Sequence, residues 1–240
     1  AKGDQFKQRL LKVLTAVLKT ARPAVGGTAV QSAGKITLRQ TKSSAKGGNK
    51  VVALACSTGG PKALQSVIPY LPKNLNAPMV LVQHMPEGFT KSMADRLNEV
   101  SPIHVKEAAD GDVLEKGTVY IAPGGKHMEV KKTADGRHKI QLNEMPPIGG
   151  LRPCANITYD SLRTCGYDEV VCVVLTGMGA DGTNGILSLA KSKPVYVIAQ
   201  NAQTCVVYGM PKAIVETGMV NEVVPLTEIA QTITKNVGVQ

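Results

Sequence analysis

The sequence predicts an α/β domain: a three-layer, doubly wound, mainly parallel sheet with a small antiparallel hairpin. Three observations carry this. From residue 50 onward, short apolar runs of strand length alternate with stretches of helical periodicity, the order that builds a parallel sheet with helices on both faces. One stretch, KHMEVKKTADGRHKIQLNE, breaks that rhythm and reads as a hairpin turning at Asp135 and Gly136. A chain of 240 residues, 43% of them hydrophobic, is long enough for one such domain with a sizeable core. With 3% aromatic residues and no Trp, that core is expected to be aliphatic.

The chain opens on a different composition. Phe6, Leu10, Val13, Leu14, Val17 and Leu18 recur at helical spacing with Lys7, Arg9, Lys12 and Lys19 between them, so residues 4–21 read as an amphipathic helix. Lys12 interrupts the apolar run, which argues against a signal peptide. From Arg22 to Asn49 the chain is Ala, Gly, Ser, Thr and Lys without strong periodicity, a linker composition. A basic helix and linker at the start of a chain without an initial Met point to a preceding domain in the whole protein. The expected division is therefore 1–49, helix and basic interdomain linker, and 50–240, the α/β domain.

Five strands follow in order: VVALAC (51–56), PMVLVQ (78–83), TVYIAP (118–123), VVCVVLT (170–176) and VYVIAQ (195–200). Helical stretches follow several of them, among them PKALQSVIPYL, FTKSMADRLNEV and ILSLAKS. No internal repeat interrupts this alternation.

Charge excludes one class of partner. The formal net charge is +10. Residues 1–50 hold eleven Lys and Arg against Asp4 alone, whereas residues 51–240 hold 17 basic and 17 acidic residues. The globular part is neutral, and the basic segment reads as solvated linker rather than as a nucleic-acid surface. No apolar run approaches the roughly 18 residues of a membrane span. Five cysteines with no C-x-x-C pair give neither a zinc spacing nor a disulfide framework, so a reduced, cytoplasmic setting is expected, with no metal.

Sites in open parallel sheets form at the carboxyl ends of strands. The first strand ends in Ser57, the second in His84, and the fourth leads into Asp181. Hydroxyl, imidazole and carboxylate are the three parts of nucleophilic acyl transfer. Each also has a structural reading: Ser57 as a cap of the helix at Pro61, His84 as a satisfied strand-end residue, and Asp181 as a cap of ILSLAKS. His127, which also follows a strand, rivals His84. Cys56 rivals Ser57 but alternates with Val52 and Leu54 on one strand face, as a core residue does.

The turn LTGMGADGTNG contains Gly177, Gly179 and Gly182 in G-x-G-x-x-G spacing, which by itself suggests a dinucleotide. The acidic residue expected about 20 positions on, after the next strand, is missing, since the first one is Glu216. Asp181 inside the turn would also repel phosphates. The turn is better explained by Asp181, and no cofactor is expected.

The segments VVALACSTGGPKAL, VLVQHMPEGFTKSMADRLN, GTVYIAPGGKHMEV, VVLTGMGADGTNGI and IAQNAQTCVVYGMPKAIVETGMVNEVVPL, in that order, resemble the catalytic domain of the chemotaxis protein-glutamate methylesterase family, CheB. The resemblance spans about residues 50–233. It implies a Ser57, His84, Asp181 triad, an oxyanion hole from the Thr58 and Met178 backbone amides, and no cofactor. It further implies methylated chemoreceptor helices as substrate, deamidation of receptor glutamines, and an N-terminal receiver domain absent from this chain. Neither nucleic acid nor membrane insertion belongs to that expectation. A generic carboxylesterase using the same triad and a nucleotide-binding module at 177–185 are the alternatives. Two stretches depart from the family pattern: Arg152-Pro153-Cys154-Ala155-Asn156 stands where Arg-Pro-Ser-x-Asp is usual, and Ala55-Cys56-Ser57 where Gly-Ala-Ser is usual. Neither is expected to touch the triad, although Asn156 removes a charge from the rim of the site.

Overall fold

The computed structural model describes residues 48–240. The amphipathic helix expected at residues 4–21 and nearly all of the linker lie outside the described residues.

Seven strands form one sheet in the order β3-β4-β2-β1-β7-β8-β9. They are β1 (Lys50–Cys56), β2 (Met79–Gln83), β3 (His104–Glu107), β4 (Thr118–Ile121), β7 (Glu169–Val174), β8 (Val195–Gln200) and β9 (Glu222–Val224), and every pairing between them is parallel. The hairpin, β5 (His127–Lys132) and β6 (His138–Asn143), is a separate antiparallel pair.

Strand periodicity divides the core. Val52, Leu54 and Cys56 of β1 face one apolar cluster with α1 (Gly60–Gln65), α2 (Phe89–Val100) and α6 (Ile229–Val237). Val51, Ala53 and Ala55 face the other with α3 (Ala155–Ser161), α4 (Thr183–Ala190), α5 (Met210–Val215) and the hairpin. Both faces are covered, so β1, β2 and β7 are buried along their whole length and read as continuous apolar runs. Cys56 thus packs in the core, as its alternation with Val52 and Leu54 suggests.

The structure amends the sequence reading in four places. The helix expected over PKALQSVIPYL stops at Gln65 and resumes as a 3-10 turn over Ile68–Tyr70, because Pro69 has no N–H to continue the ladder. ILSLAKS begins earlier, at Thr183, directly after Gly182. The short edge strands β3 and β9 carry too little alternation to be read from sequence. Finally, the core is not wholly aliphatic: Tyr159 is fully buried and donates its hydroxyl to the carbonyls of Ala53 and Val173 at 3.2 and 3.1 Å.

The hairpin fixes α3. Thr158 Oγ1 donates to the Met128 carbonyl at 2.7 Å, and Ser161 Oγ accepts the Val130 amide at 2.9 Å. This places the first turn of α3 against the loop that follows β7.

Candidate active site

Strand order reverses at β1: the chain passes from β1 outward to β2 on one side, and later from β7 outward through β8 to β9 on the other. The crevice at such a switch point, beyond the strand carboxyl ends, is where open parallel sheets bind ligands. Ser57 follows β1, His84 follows β2, and Asp181 lies on the loop after β7, so adjacent strands deliver the three.

Ser57 sits in a sharp turn between the two neighbouring strand ends. Its amide donates to the Thr176 carbonyl at 3.0 Å, and the His84 amide donates to the Cys56 carbonyl at 3.2 Å, so the ladders run on past the strands. Thr176 Oγ1 donates to the Thr58 carbonyl at 2.9 Å and steadies the turn from the β7 side.

The imidazole and the carboxylate meet directly. His84 Nε2 lies 2.8 Å from Asp181 Oδ2, with both side chains largely withdrawn from solvent. Oδ2 also accepts the Ala155 amide at 2.6 Å, while Oδ1 accepts the amides of Asn156 at 3.1 Å and Gly182 at 2.9 Å and the Cys154 thiol at 3.1 Å. Burial pushes the Asp181 carboxyl up, but the bonds from His84, Ala155, Cys154 and Asn156 outweigh it and hold the group below its ordinary value. An ionised carboxylate only accepts, so His84 Nε2 carries a proton, and in the neutral ring this tautomer leaves Nδ1 as the acceptor. Among the described residues, no hydrogen bond joins Ser57 Oγ to the ring. Such bonds commonly tighten only when substrate is bound.

The amides of Thr58 and Met178 find no acceptor among the described residues, which leaves both N–H groups available to a ligand oxygen. The glycine turn explains how the backbone comes so close. A Cβ on Gly177 would stand 2.9 Å from Ser57 Cβ and 2.3 Å from Met210 Sδ. The close approach of the turn to Ser57 and Met210 calls for Gly at 177.

Asp181 does not cap ILSLAKS, as one reading had it; the cap position of α4 is Gly182. It caps α3 instead, and α3 returns the contact: Asn156 Oδ1 accepts the amides of Gly182 at 3.1 Å and Gly185 at 2.7 Å at the start of α4. The departures from the family pattern are therefore not remote. Cys154 touches Asp181, and Asn156 holds the turn that carries it, contrary to the expectation that neither reaches the triad. The Cys154 thiol is pushed up to about 11 by burial and by the Asp181 charge, so it stays protonated and donates.

The rivals fall elsewhere. His127 is fully buried, with Nε2 against the Pro146 carbonyl at 3.2 Å. Cys56 is fully buried, and burial pushes its thiol far above the usual range. Gln83, a polar residue ending the apolar run PMVLVQ immediately before His84, also belongs to the site: its Nε2 donates to the Ser57 and His84 carbonyls. Its strand-end position was the available signal. Among the described residues, no three His, Cys, Asp or Glu side chains cluster as a metal site would, and no helix is long and apolar enough to cross a membrane.

Comparison with known proteins gives the family. Residues 52–233 match the family model described as CheB methylesterase. The chain is 49% identical over 187 residues to the protein-glutamate methylesterase/protein-glutamine glutaminase of Bacillus subtilis, covering 78% of this chain and 52% of that one. The protein of the same name from Pyrococcus horikoshii is 50% identical over 186 residues, 78% of this chain and 50% of its own length. The chain thus spans about half the length of these curated relatives. The crystal structure of the Thermotoga maritima CheB methylesterase catalytic domain superposes with a TM-score of 0.74 at 42% identity, covering 78% of this chain and 98% of that domain. With its fold, the order of its motifs and three quarters of its length in agreement, this chain belongs to the CheB methylesterase family.

Proposed function

We propose that this domain is a serine hydrolase that demethylates glutamyl γ-methyl esters on the cytoplasmic helices of chemoreceptors and deamidates particular receptor glutamines. The observation that carries the reading is the 2.8 Å contact of His84 Nε2 with Asp181, beside Ser57 at the sheet's switch point. The family match supports the substrate class.

Ser57 Oγ attacks the ester carbonyl carbon while His84 Nδ1 takes its proton, and Asp181 stabilises the imidazolium through Nε2. The carbonyl oxygen becomes an oxyanion, which the Thr58 and Met178 amides receive. When the tetrahedral intermediate collapses, His84 returns the proton to the departing methoxide, releasing methanol and leaving an acyl-serine. Water, deprotonated by His84, then attacks that ester and frees a glutamate carboxylate and the Ser57 hydroxyl. A glutamine side chain follows the same course with ammonia as leaving group, because both substrates give the same acyl-enzyme. The mechanism calls on neither metal nor organic cofactor.

The wider setting is part of the same proposal: a cytoplasmic enzyme of two-component signalling whose longer form carries an N-terminal receiver domain. Methanol release from methylated receptor, set beside hydrolysis of a small ester, tests it. A strong preference for receptor is expected, and equal efficiency on the small ester would favour a generic carboxylesterase.

A further inference from the structure

Gln83 ends β2 with its carboxamide buried, 1% exposed, between the two strands that deliver Ser57 and His84. Its Nε2 donates to the main-chain carbonyl of Ser57 at 3.1 Å and to that of His84 at 3.0 Å. Its Oε1 accepts the Cys56 thiol at 3.1 Å. One planar amide therefore spans the backbones of the residues on either side of the proton transfer, with each of its N–H groups committed to one of them.

The surroundings are shaped to admit it. Cys56 and Gln83 are register partners in the β1–β2 ladder, so their side chains emerge on the same face. On that face α1 begins at Gly60, where a Cβ would stand only 1.8 Å from Gln83 Oε1. Any larger residue at Gly60 would expel the carboxamide. An apolar side chain at 83 would pack against Cys56 without needing a partner of its own, so the desolvated amide calls for a reason beyond core filling.

We infer that Gln83 is a positioning residue: it fixes the Ser57 turn and the His84 turn relative to each other, so that Ser57 Oγ and His84 Nδ1 come to proton-transfer distance when substrate binds. This rests on the assignment of Ser57 and His84 as nucleophile and base. Gln83 itself reaches main chain on the interior side of the turn, so its loss disturbs the geometry of the reacting groups and leaves substrate binding alone. Rate losses on the order of 10- to 100-fold accompany misplacements of about an ångström.

The test uses the full 240-residue chain and a peptide carrying a glutamyl γ-methyl ester, with methanol release as readout. Gln83→Met keeps length and removes both donors. A kcat lowered 10- to 100-fold with KM within twofold is expected, together with broadening of the proton resonance of His84 Nε2–H as the ring loses its fixed seat. Gln83→Glu keeps shape and the acceptor for Cys56, and offers one O–H donor only while protonated, so its kcat relative to wild type should fall as pH rises. Wild-type kcat in both variants with an unshifted ring resonance, or a raised KM at unchanged kcat, would overturn the inference. If Gln83→Met is recovered unfolded, Gln83→Glu decides alone: kcat within twofold of wild type at every pH overturns it, and a tenfold loss at pH 8 supports it. A chain whose Ser57→Ala variant still releases methanol would instead remove the triad reading, a result visible before any Gln83 variant is compared.

Discussion

Asp181 Oδ2 holds His84 Nε2 at 2.8 Å while the same carboxylate accepts the first two amides of the helix that starts at Ala155. Orienting the His84 ring and capping a helix are therefore one act, and a substitution at Asp181 cannot separate them. Asp181→Asn puts an NH2 group against donors in either orientation, since both oxygens accept. We expect methanol release to fall 10²- to 10⁴-fold; the upper figure is about that of the serine-protease Asp→Asn variant with the wrong tautomer. Stability should fall by about 1–3 kcal/mol, the range for buried groups left unsatisfied. Parallel activity and urea-unfolding measurements check this, and unchanged activity refutes the assignment.

The same carboxylate makes stability depend on pH. Its folded value is held below the unfolded one, about 3.9. The stabilisation is therefore fully present above the unfolded value and is lost as pH falls through the folded one. The gap in urea midpoint between wild type and Asp181→Ala should narrow as pH is lowered from 6 to 3. A gap that widens would reverse the sign of the linkage.

Ser57→Ala should abolish methanol release, whereas Cys56→Ala should leave most of it, because Cys56 is fully buried with its thiol pushed up by burial. Alkylating reagents at pH 7.5 should accordingly spare activity.

Of the two rival histidines, His84 meets a carboxylate and His127 a main-chain carbonyl among the described residues. His84→Gln should lose ester hydrolysis. His127→Gln should keep a substantial fraction while lowering thermal stability, since His127 is fully buried against the Pro146 carbonyl. The opposite ranking would name His127 as the base.

Gly177→Ala should reduce methanol release at least tenfold, since its Cβ would meet Ser57 Cβ at 2.9 Å and a small shift of Ser57, the proposed nucleophile, is costly. A calorimetric titration of the wild-type chain with NAD or ATP should give no heat of binding. Binding that Gly177→Ala abolishes would restore the nucleotide reading of the turn.

The sequence by itself determined the layered parallel fold, because a sheet covered on both faces needs strands such as VVALAC and VVCVVLT that are apolar throughout, and only helices of sufficient length can cross between parallel neighbours. It also determined which residues stand at the strand ends, since Ser57 and His84 each follow directly on an apolar run. What only the tertiary structure decided is who meets whom. That Asp181 turns toward α3 rather than α4, that Asn156 answers it from the first turn of α3, that Cys154 touches the carboxylate and that Gln83 reaches across to the Ser57 carbonyl are contacts between residues 26 or 27 positions apart. A side chain's local neighbours do not encode such partners. They are set by which strands lie side by side and by the few ångströms that a missing Cβ at Gly60 or Gly177 leaves open, and both arise only when the sheet closes its layers.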